Sequence, residues 1–103
     1  MIQIESPEQF NDAVKQDKLV VASFSAPWCG GCKTVAPTVA KLAEELKGTP
    51  FLKVSAEDLE DFCDEIEVDG YPSFRVYKNG EVLADYTGSK PEKVEEFIRK
   101  HLS

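Results

Sequence analysis

The chain has little of what membrane, secreted and nucleic-acid-binding proteins depend on. No apolar run approaches the length of a membrane span, and the first residues lack the basic flank and apolar region of a secretory signal. Basic residues are outnumbered, with 12 Lys and Arg against 19 Asp and Glu and a net charge of -7. This balance argues against nucleic acid or an anionic membrane as a partner. We therefore expect a cytoplasmic protein that binds neither.

Cysteine is also scarce. The chain has 3 cysteines, too few and too clustered for the disulfide framework of a small secreted domain. In a reducing compartment the Cys29 and Cys32 pair is more typical of catalysis or metal binding. A zinc site could be built from Cys29, Cys32, Cys63 and His101, but structural zinc usually has two paired ligand clusters and the second is missing. We expect no metal.

The length allows one domain, residues 1–103, with a single core. Its 42% hydrophobic and 30% charged residues are ordinary for a globular protein, and it shows no internal repeat, linker or low-complexity segment. Apolar patterning predicts strands over residues 2–4, 19–24, 51–54, 73–77 and 82–87. The Asn79-Gly80 pair predicts a hairpin between the last two.

Helices are predicted between these strands from capping signals and from apolar residues at helical spacing. Ser6, Ser55 and Ser89 are the predicted N-caps of the first, third and fourth helices. The second helix is predicted from about residue 29 to residue 47, with a kink at Pro37 and an end at Gly48. The order β-α-β-α-β-α-β-β-α predicts an α/β fold in which helices cover both faces of a mixed sheet.

The cysteine pair lies where the buried strand over residues 19–24 gives way to the second helix. Cys29 is expected in the first turn, where free backbone N–H groups and the positive helix end favour a thiolate. Cys32 begins the apolar stripe of the helix that continues through Val35 and Val39. The Cys29 sulfur is therefore expected to be accessible at the surface, and the Cys32 sulfur is expected to lie behind it.

The segment Trp28-Cys29-Gly30-Gly31-Cys32-Lys33 resembles the active site of the thioredoxin family, and the resemblance extends over essentially the whole chain. Matching segments elsewhere are Phe24-Ser25-Ala26, Ala36-Pro37, Tyr71-Pro72-Ser73-Phe74, Lys78-Asn79-Gly80-Glu81 and Thr87-Gly88. The resemblance implies the thioredoxin fold, a central mixed five-stranded sheet flanked by four helices.

The resemblance also implies a protein-disulfide reductase that takes part in electron transport and cell redox homeostasis. Cys29 would attack a client disulfide and Cys32 would resolve the mixed disulfide. The oxidised pair would be re-reduced by an electron-donating reductase such as thioredoxin reductase. We expect a monomer without a cofactor.

Two further sets of residues follow from the resemblance. Pro72 would be a cis proline facing the cysteines. A docking surface for clients would consist of Trp28, Gly70, Tyr71, Pro72, Thr87 and Gly88. The residues expected to support the cysteine chemistry are Trp28, Gly30, Gly31, Lys33, Ser23, Lys53 and Pro72.

The sequence departs from the family at two positions. Gly31 stands where proline is usual; its additional N–H could donate to the Cys29 thiolate and make the couple more oxidising. Ser23 stands where a buried aspartate, near a lysine at the position of Lys53, is thought to help move protons to and from the second cysteine. We expect Ser23 to stabilise the fold and to slow resolution by Cys32.

Other interpretations remain open at this point. The chain could be a redox-silent binding or regulatory module of the same fold, or a more oxidising disulfide exchange protein. The presence of both cysteines argues against the first, and the lack of a secretory signal and of a His between the cysteines against the second. Cys63 could be a regulatory thiol, but its position between Phe62 and Ile66 on an apolar stripe favours a place in the core.

Overall fold

The core of the fold is one mixed sheet of five strands in the order β1-β3-β2-β4-β5. The structure is a computed structural model that describes residues 1–102. Its strands are β1 (Ile2–Gln3), β2 (Val20–Ser25), β3 (Phe51–Ser55), β4 (Ser73–Lys78) and β5 (Glu81–Thr87). β1 and β2 run parallel to β3, while β4 is antiparallel to both β2 and β5. The predicted mixed sheet is confirmed.

Four helices cover the two faces of the sheet. They are α1 (Pro7–Val14), α2 (Gly30–Glu45), α3 (Glu60–Glu65) and α4 (Pro91–Leu102). Within residues 1–102 no helix is both long enough and apolar enough to span a bilayer. The predicted element order and the α/β class are confirmed.

Each face of the sheet carries its own apolar cluster. On the α1 and α3 face, the ring of Phe10 lies 5.1 Å from that of Phe62, 5.4 Å from that of Tyr77 and 6.0 Å from that of Phe24. On the α2 and α4 face, the buried residues are Val21, Val35, Val39, Leu42, Phe51, Phe74, Val76, Val94 and Ile98. Because β2 contributes to both clusters, five of its six residues are buried.

The hairpin between β4 and β5 turns at Asn79 and Gly80, as predicted. Both residues have positive φ angles, 54° and 81°, which suits the right-handed twist of the flanking strands and which glycine adopts without strain. The Asn79 N–H donates to the Gln16 carbonyl at 3.0 Å and the Gly80 N–H to the Val14 carbonyl at 2.7 Å. These bonds attach the turn to the end of α1.

Three predicted helix boundaries are wrong. Ser55 does not cap α3, because it is the last residue of β3 and is paired with Ser25; α3 begins at Glu60 after Leu59, which makes no side-chain cap. Ser89 does not cap α4, because the helix begins at Pro91 and the Lys90 carbonyl accepts its first backbone bonds. Gly48 does not end α2, whose C-cap is Leu46 with φ of −104°.

Two further predictions concern the end of β1, which is wrong by one residue, and the N-cap of α1, which is confirmed. β1 ends at Gln3 rather than at residue 4, although the Ile4 N–H still donates to the Lys53 carbonyl at 2.9 Å. Ser6 caps α1 as predicted, since its hydroxyl accepts the Gln9 N–H at 3.1 Å. The cap prediction succeeds where the serine lies outside a strand and directly before a helix that begins with proline.

Replacing Phe10 should be among the most destabilising changes in this chain. Phe10→Ala is expected to lower the free energy of unfolding by about 3–5 kcal/mol, because it leaves a cavity among three aromatic rings. Urea denaturation measures the loss. Phe10→Leu should cost clearly less, and Leu83→Ala, at a side chain 55% exposed, should stay within about 0.5 kcal/mol of the unaltered protein. Equal losses for Phe10→Ala and Leu83→Ala would contradict this assignment of the core.

Candidate active site

The cysteine pair lies at the junction between the central strand β2 and helix α2. A short turn separates the two elements, and in it the Cys29 N–H donates to the Ala26 carbonyl at 3.1 Å. Pro27 and Trp28 lie at the tip of the turn, and the Trp28 side chain is 66% exposed. The turn therefore presents the tryptophan to solvent directly beside the first cysteine.

The two cysteines form a disulfide in this structure, with their Cα atoms 5.3 Å apart. Cys29 is the N-cap residue of α2, and its sulfur accepts a hydrogen bond from the Cys32 N–H at 3.1 Å. Cys29 is half-buried, whereas Cys32 is 8% exposed. In the dithiol form, a backbone donor and the positive end of a 16-residue helix would favour a thiolate at the Cys29 position.

The loop before β4 lies close to the start of α2. Its Tyr71–Pro72 peptide bond is cis, as the resemblance implies. The Pro72 carbonyl accepts the Gly88 N–H at 3.1 Å, and the hydroxyls of Ser73 and Thr87 lie 3.3 Å apart. These contacts hold Pro72 beside the end of β5.

The six residues of the expected docking surface differ in exposure. Trp28 and Thr87 are exposed, Gly70, Tyr71 and Gly88 are half-buried, and Pro72 is buried. Pro72 therefore contributes mainly through the position of the backbone around it, and most of the accessible area comes from the other five.

Gly31 lies in a tight contact that the sequence did not indicate. A Cβ at this position would lie 2.6 Å from Ser89 Cβ and 3.4 Å from Pro72 Cδ. Any side chain here would have to displace the segment after β5. Gly30, by contrast, has nothing within 4 Å of its Cβ position. The two glycines between the cysteines therefore have different roles, and only Gly31 permits the close approach of Ser89.

Ser23 and Lys53 are brought together with the second cysteine. They are register partners on the parallel strands β2 and β3. Ser23 is 8% exposed and Lys53 is exposed. Both line a cavity of about 780 Å³ that also borders Cys32 and Lys33. Of the expected supporting residues, Ser23, Lys33 and Lys53 therefore meet on the inner side of the cysteine pair.

Cys63 is fully buried in the cluster on the α1 and α3 face, which confirms its predicted place in the core. Burial raises the pKa of the Cys63 thiol, and a hydrogen bond with Tyr71 partly opposes this rise. Burial, together with the neighbouring Cys63 and the charges of Asp64 and Glu60, raises the pKa of Tyr71 to about 12. Both groups therefore stay protonated at neutral pH.

The four residues considered as zinc ligands do not share a site. Cys63 packs on the α1 and α3 face of the sheet. The ring of His101 lies 4.9 Å from that of Phe97, which packs on the opposite face. The sheet therefore separates Cys63 from His101.

Comparison with known proteins gives one consistent result. The family model described as Thioredoxin matches residues 1–100. Thioredoxin-1 of Schizosaccharomyces pombe is 38% identical over 100 residues, which cover 97% of each chain, and human thioredoxin is 39% identical over 95% of each. Among solved structures, the thioredoxin of Malassezia sympodialis has a TM-score of 0.91 at 31% identity, covering 98% of this chain and 92% of that one. A thioredoxin of Plasmodium falciparum has a TM-score of 0.92 at 27% identity, covering 98% and 99%.

The contact between Gly31 and Ser89 predicts coupled effects on stability. Overpacking should cost Gly31→Ala about 1–3 kcal/mol of unfolding free energy, of which the better helix propensity of alanine offsets roughly 1 kcal/mol, so the net loss should be up to about 2 kcal/mol. In a Ser89→Gly background the same change should be neutral or stabilising. Gly30→Ala is the matched control and should be tolerated. Additive effects in the double-mutant cycle would contradict the contact.

Cys63 should resist alkylation in the folded protein. In a Cys29→Ser, Cys32→Ser background it is the only thiol, so labelling by iodoacetamide reports on it alone. Burial shields the sulfur from the reagent, and the raised pKa lowers the fraction of Cys63 present as thiolate. Labelling of the native protein should therefore be roughly 10²-fold slower than labelling in urea. Mass spectrometry measures the rate. Rapid labelling of the native protein would identify Cys63 as an accessible thiol instead.

Proposed function

Because the chain belongs to the thioredoxin family, we propose that it reduces the disulfide bonds of client proteins with Cys29 as nucleophile and Cys32 as resolving thiol. The chain is a thiol–disulfide oxidoreductase. The observation that carries the two roles is the hydrogen bond from the Cys32 N–H to the Cys29 sulfur at 3.1 Å, together with the 8% exposure of Cys32. The sulfur that a client can reach is therefore also the one that backbone donors favour as an anion.

The reaction then proceeds in two exchanges. The Cys29 thiolate attacks one sulfur of the client disulfide, a mixed disulfide forms, and the other client sulfur leaves as a thiolate. Cys32 loses its proton and attacks the Cys29 sulfur, the bond from Cys29 to the client breaks, and the second client thiolate leaves. The client gains two electrons, and the protein is left with the Cys29–Cys32 disulfide.

Client recognition is proposed to occur on the docking surface defined above. The exposed Trp28 offers an apolar contact beside the first cysteine, and the backbone around Pro72 and Gly88 is held by the bond between these two residues. None of the six side chains is charged, so recognition through the client's main chain would accept many sequences.

Re-reduction is proposed to come from an electron-donating reductase such as thioredoxin reductase, with the protein acting as a cytoplasmic monomer in electron transport. The two rival functions, a redox-silent module and a more oxidising exchange protein, are not favoured by a thioredoxin-family chain that keeps its cysteine pair. The tuning of the couple by Gly31 stays a prediction.

Insulin reduction coupled to NADPH and thioredoxin reductase tests the function and both cysteine roles. The unaltered protein should turn over, and Cys29→Ser and Cys32→Ser should each fall to the background rate. Cys32→Ser should also retain the first exchange and accumulate a mixed disulfide with the client, visible by non-reducing mass spectrometry. Cys63→Ala is the control and should keep its turnover. Turnover by Cys29→Ser would refute the proposed nucleophile.

A further inference from the structure

The resolving thiol borders the cavity of about 780 Å³ that lies between α2 and the strands β1, β2 and β3. Its helical wall has small side chains, because α2 contributes Ala36 and Ala40, both at exposed positions. Its sheet wall includes three serines, Ser23, Ser25 and Ser55, among apolar residues such as Ile4. The cavity is therefore large enough to hold a small organic ligand next to Cys32, with hydroxyl groups on one side and apolar side chains on the other.

Ser23 is the polar group that points to an occupant. Its side chain is 92% buried, since its exposed fraction is 8%, and its hydroxyl has no hydrogen-bond partner anywhere in residues 1–102. No side-chain oxygen or nitrogen in that part of the chain is both sealed and unpartnered, so the Ser23 oxygen must be reached through the cavity. A buried hydroxyl is costly unless something bonds to it.

The second exchange needs a proton acceptor beside Cys32, since the thiolate is the attacking species. The charged residues that line the cavity are Glu5, Lys33, Lys53 and Asp58, and all four are exposed. The two acids are therefore solvated at the rim, and none of the cavity's buried residues is a carboxylate. The chain itself offers Cys32 no buried base.

We propose that this cavity is a binding site for a small monocarboxylate from solvent, which takes the proton of Cys32. The inference rests on the proposed function, because it concerns the second exchange. The base accepts a hydrogen bond from the Ser23 hydroxyl and removes the thiol proton. The freed electron pair of Cys32 attacks the Cys29 sulfur, the client leaves as a thiolate, and the protonated base returns its proton to solvent.

The charges around the cavity suit this class of base. Lys53 is the register partner of Ser23 and lines the same space, so its ammonium favours an anionic oxygen base and the thiolate that forms. The two acids at the rim, Glu5 and Asp58, equal the two lysines, Lys33 and Lys53, in number. The net charge around the cavity is therefore close to zero, which limits the attraction of multiply charged anions. A small monocarboxylate therefore fits better than a phosphate.

The test is buffer catalysis of the second exchange. Reduced protein is mixed with excess insulin, so that attack by Cys29 does not limit the rate, and formation of the Cys29–Cys32 disulfide is followed by the fluorescence of Trp28. Acetate replaces chloride at constant pH and ionic strength. The rate should rise with acetate by up to roughly tenfold, a small part of the acceleration that positioned general bases provide.

Two variants locate the effect in the cavity. Ala36 lines the cavity one turn after Cys32, so Ala36→Leu should fill the space beside Cys32 and abolish the acetate dependence, whereas Ala36→Ser nearly preserves the volume and should keep it. Ser23→Ala removes the donor and should weaken the dependence severalfold. In a Cys32→Ser background, Ala36→Leu should form the mixed disulfide at an unchanged rate, which would show that the variant is folded and that only the second exchange is affected.

Two results would overturn the inference. A rate that does not respond to acetate, in a protein that still reduces insulin, would exclude an accessible base site and leave the proposed function intact. A large loss of the second exchange in Asp58→Asn or Glu5→Gln would identify a resident carboxylate as the proton acceptor. Failure to reduce insulin at all would instead contradict the proposed function.

Discussion

The bond from the Cys32 N–H to the Cys29 sulfur is the interaction on which the rest of the active site depends. It exists because α2 begins immediately after Cys29, leaving the N–H groups of the first turn without partners in the helix. Burial of Val35, Val39 and Leu42 against the sheet fixes the position of α2 and therefore of its first turn. The hydrogen bond at the Cys29 sulfur thus depends on packing along the following turns of the same helix.

The cysteine pair separates two environments with different tasks. On the outer side, the exposed Trp28 and the loop held by the bond from Gly88 to Pro72 form a surface without charged side chains. On the inner side, Ser23 and Lys53 line the cavity that reaches Cys32. In the proposed mechanism a client would meet Cys29 from the first side and a proton would leave Cys32 from the second, so the two exchanges would not compete for space.

The accuracy of the sequence predictions followed the range of the interactions involved. Periodicity and the Asn79-Gly80 turn predicted the element order, because strands and tight turns depend on neighbouring residues. The caps at Ser55 and Ser89 were mispredicted because the same residues had other partners in space: Ser55 pairs with Ser25 in the sheet, and Ser89 lies against Gly31. A local capping signal carries no information about such competition.

The sequence by itself determined the thiol pair, its place between a buried strand and a helix, and the order of elements that makes the sheet mixed. These features depend on residue type and short-range spacing. Only the tertiary structure decided that Ser89 closes over Gly31, that Cys63 and His101 lie on opposite sides of the sheet, and that Ser23 faces a cavity without a hydrogen-bond partner. The physical reason is that each depends on distances between residues far apart in the chain, which close packing sets and local patterns do not encode.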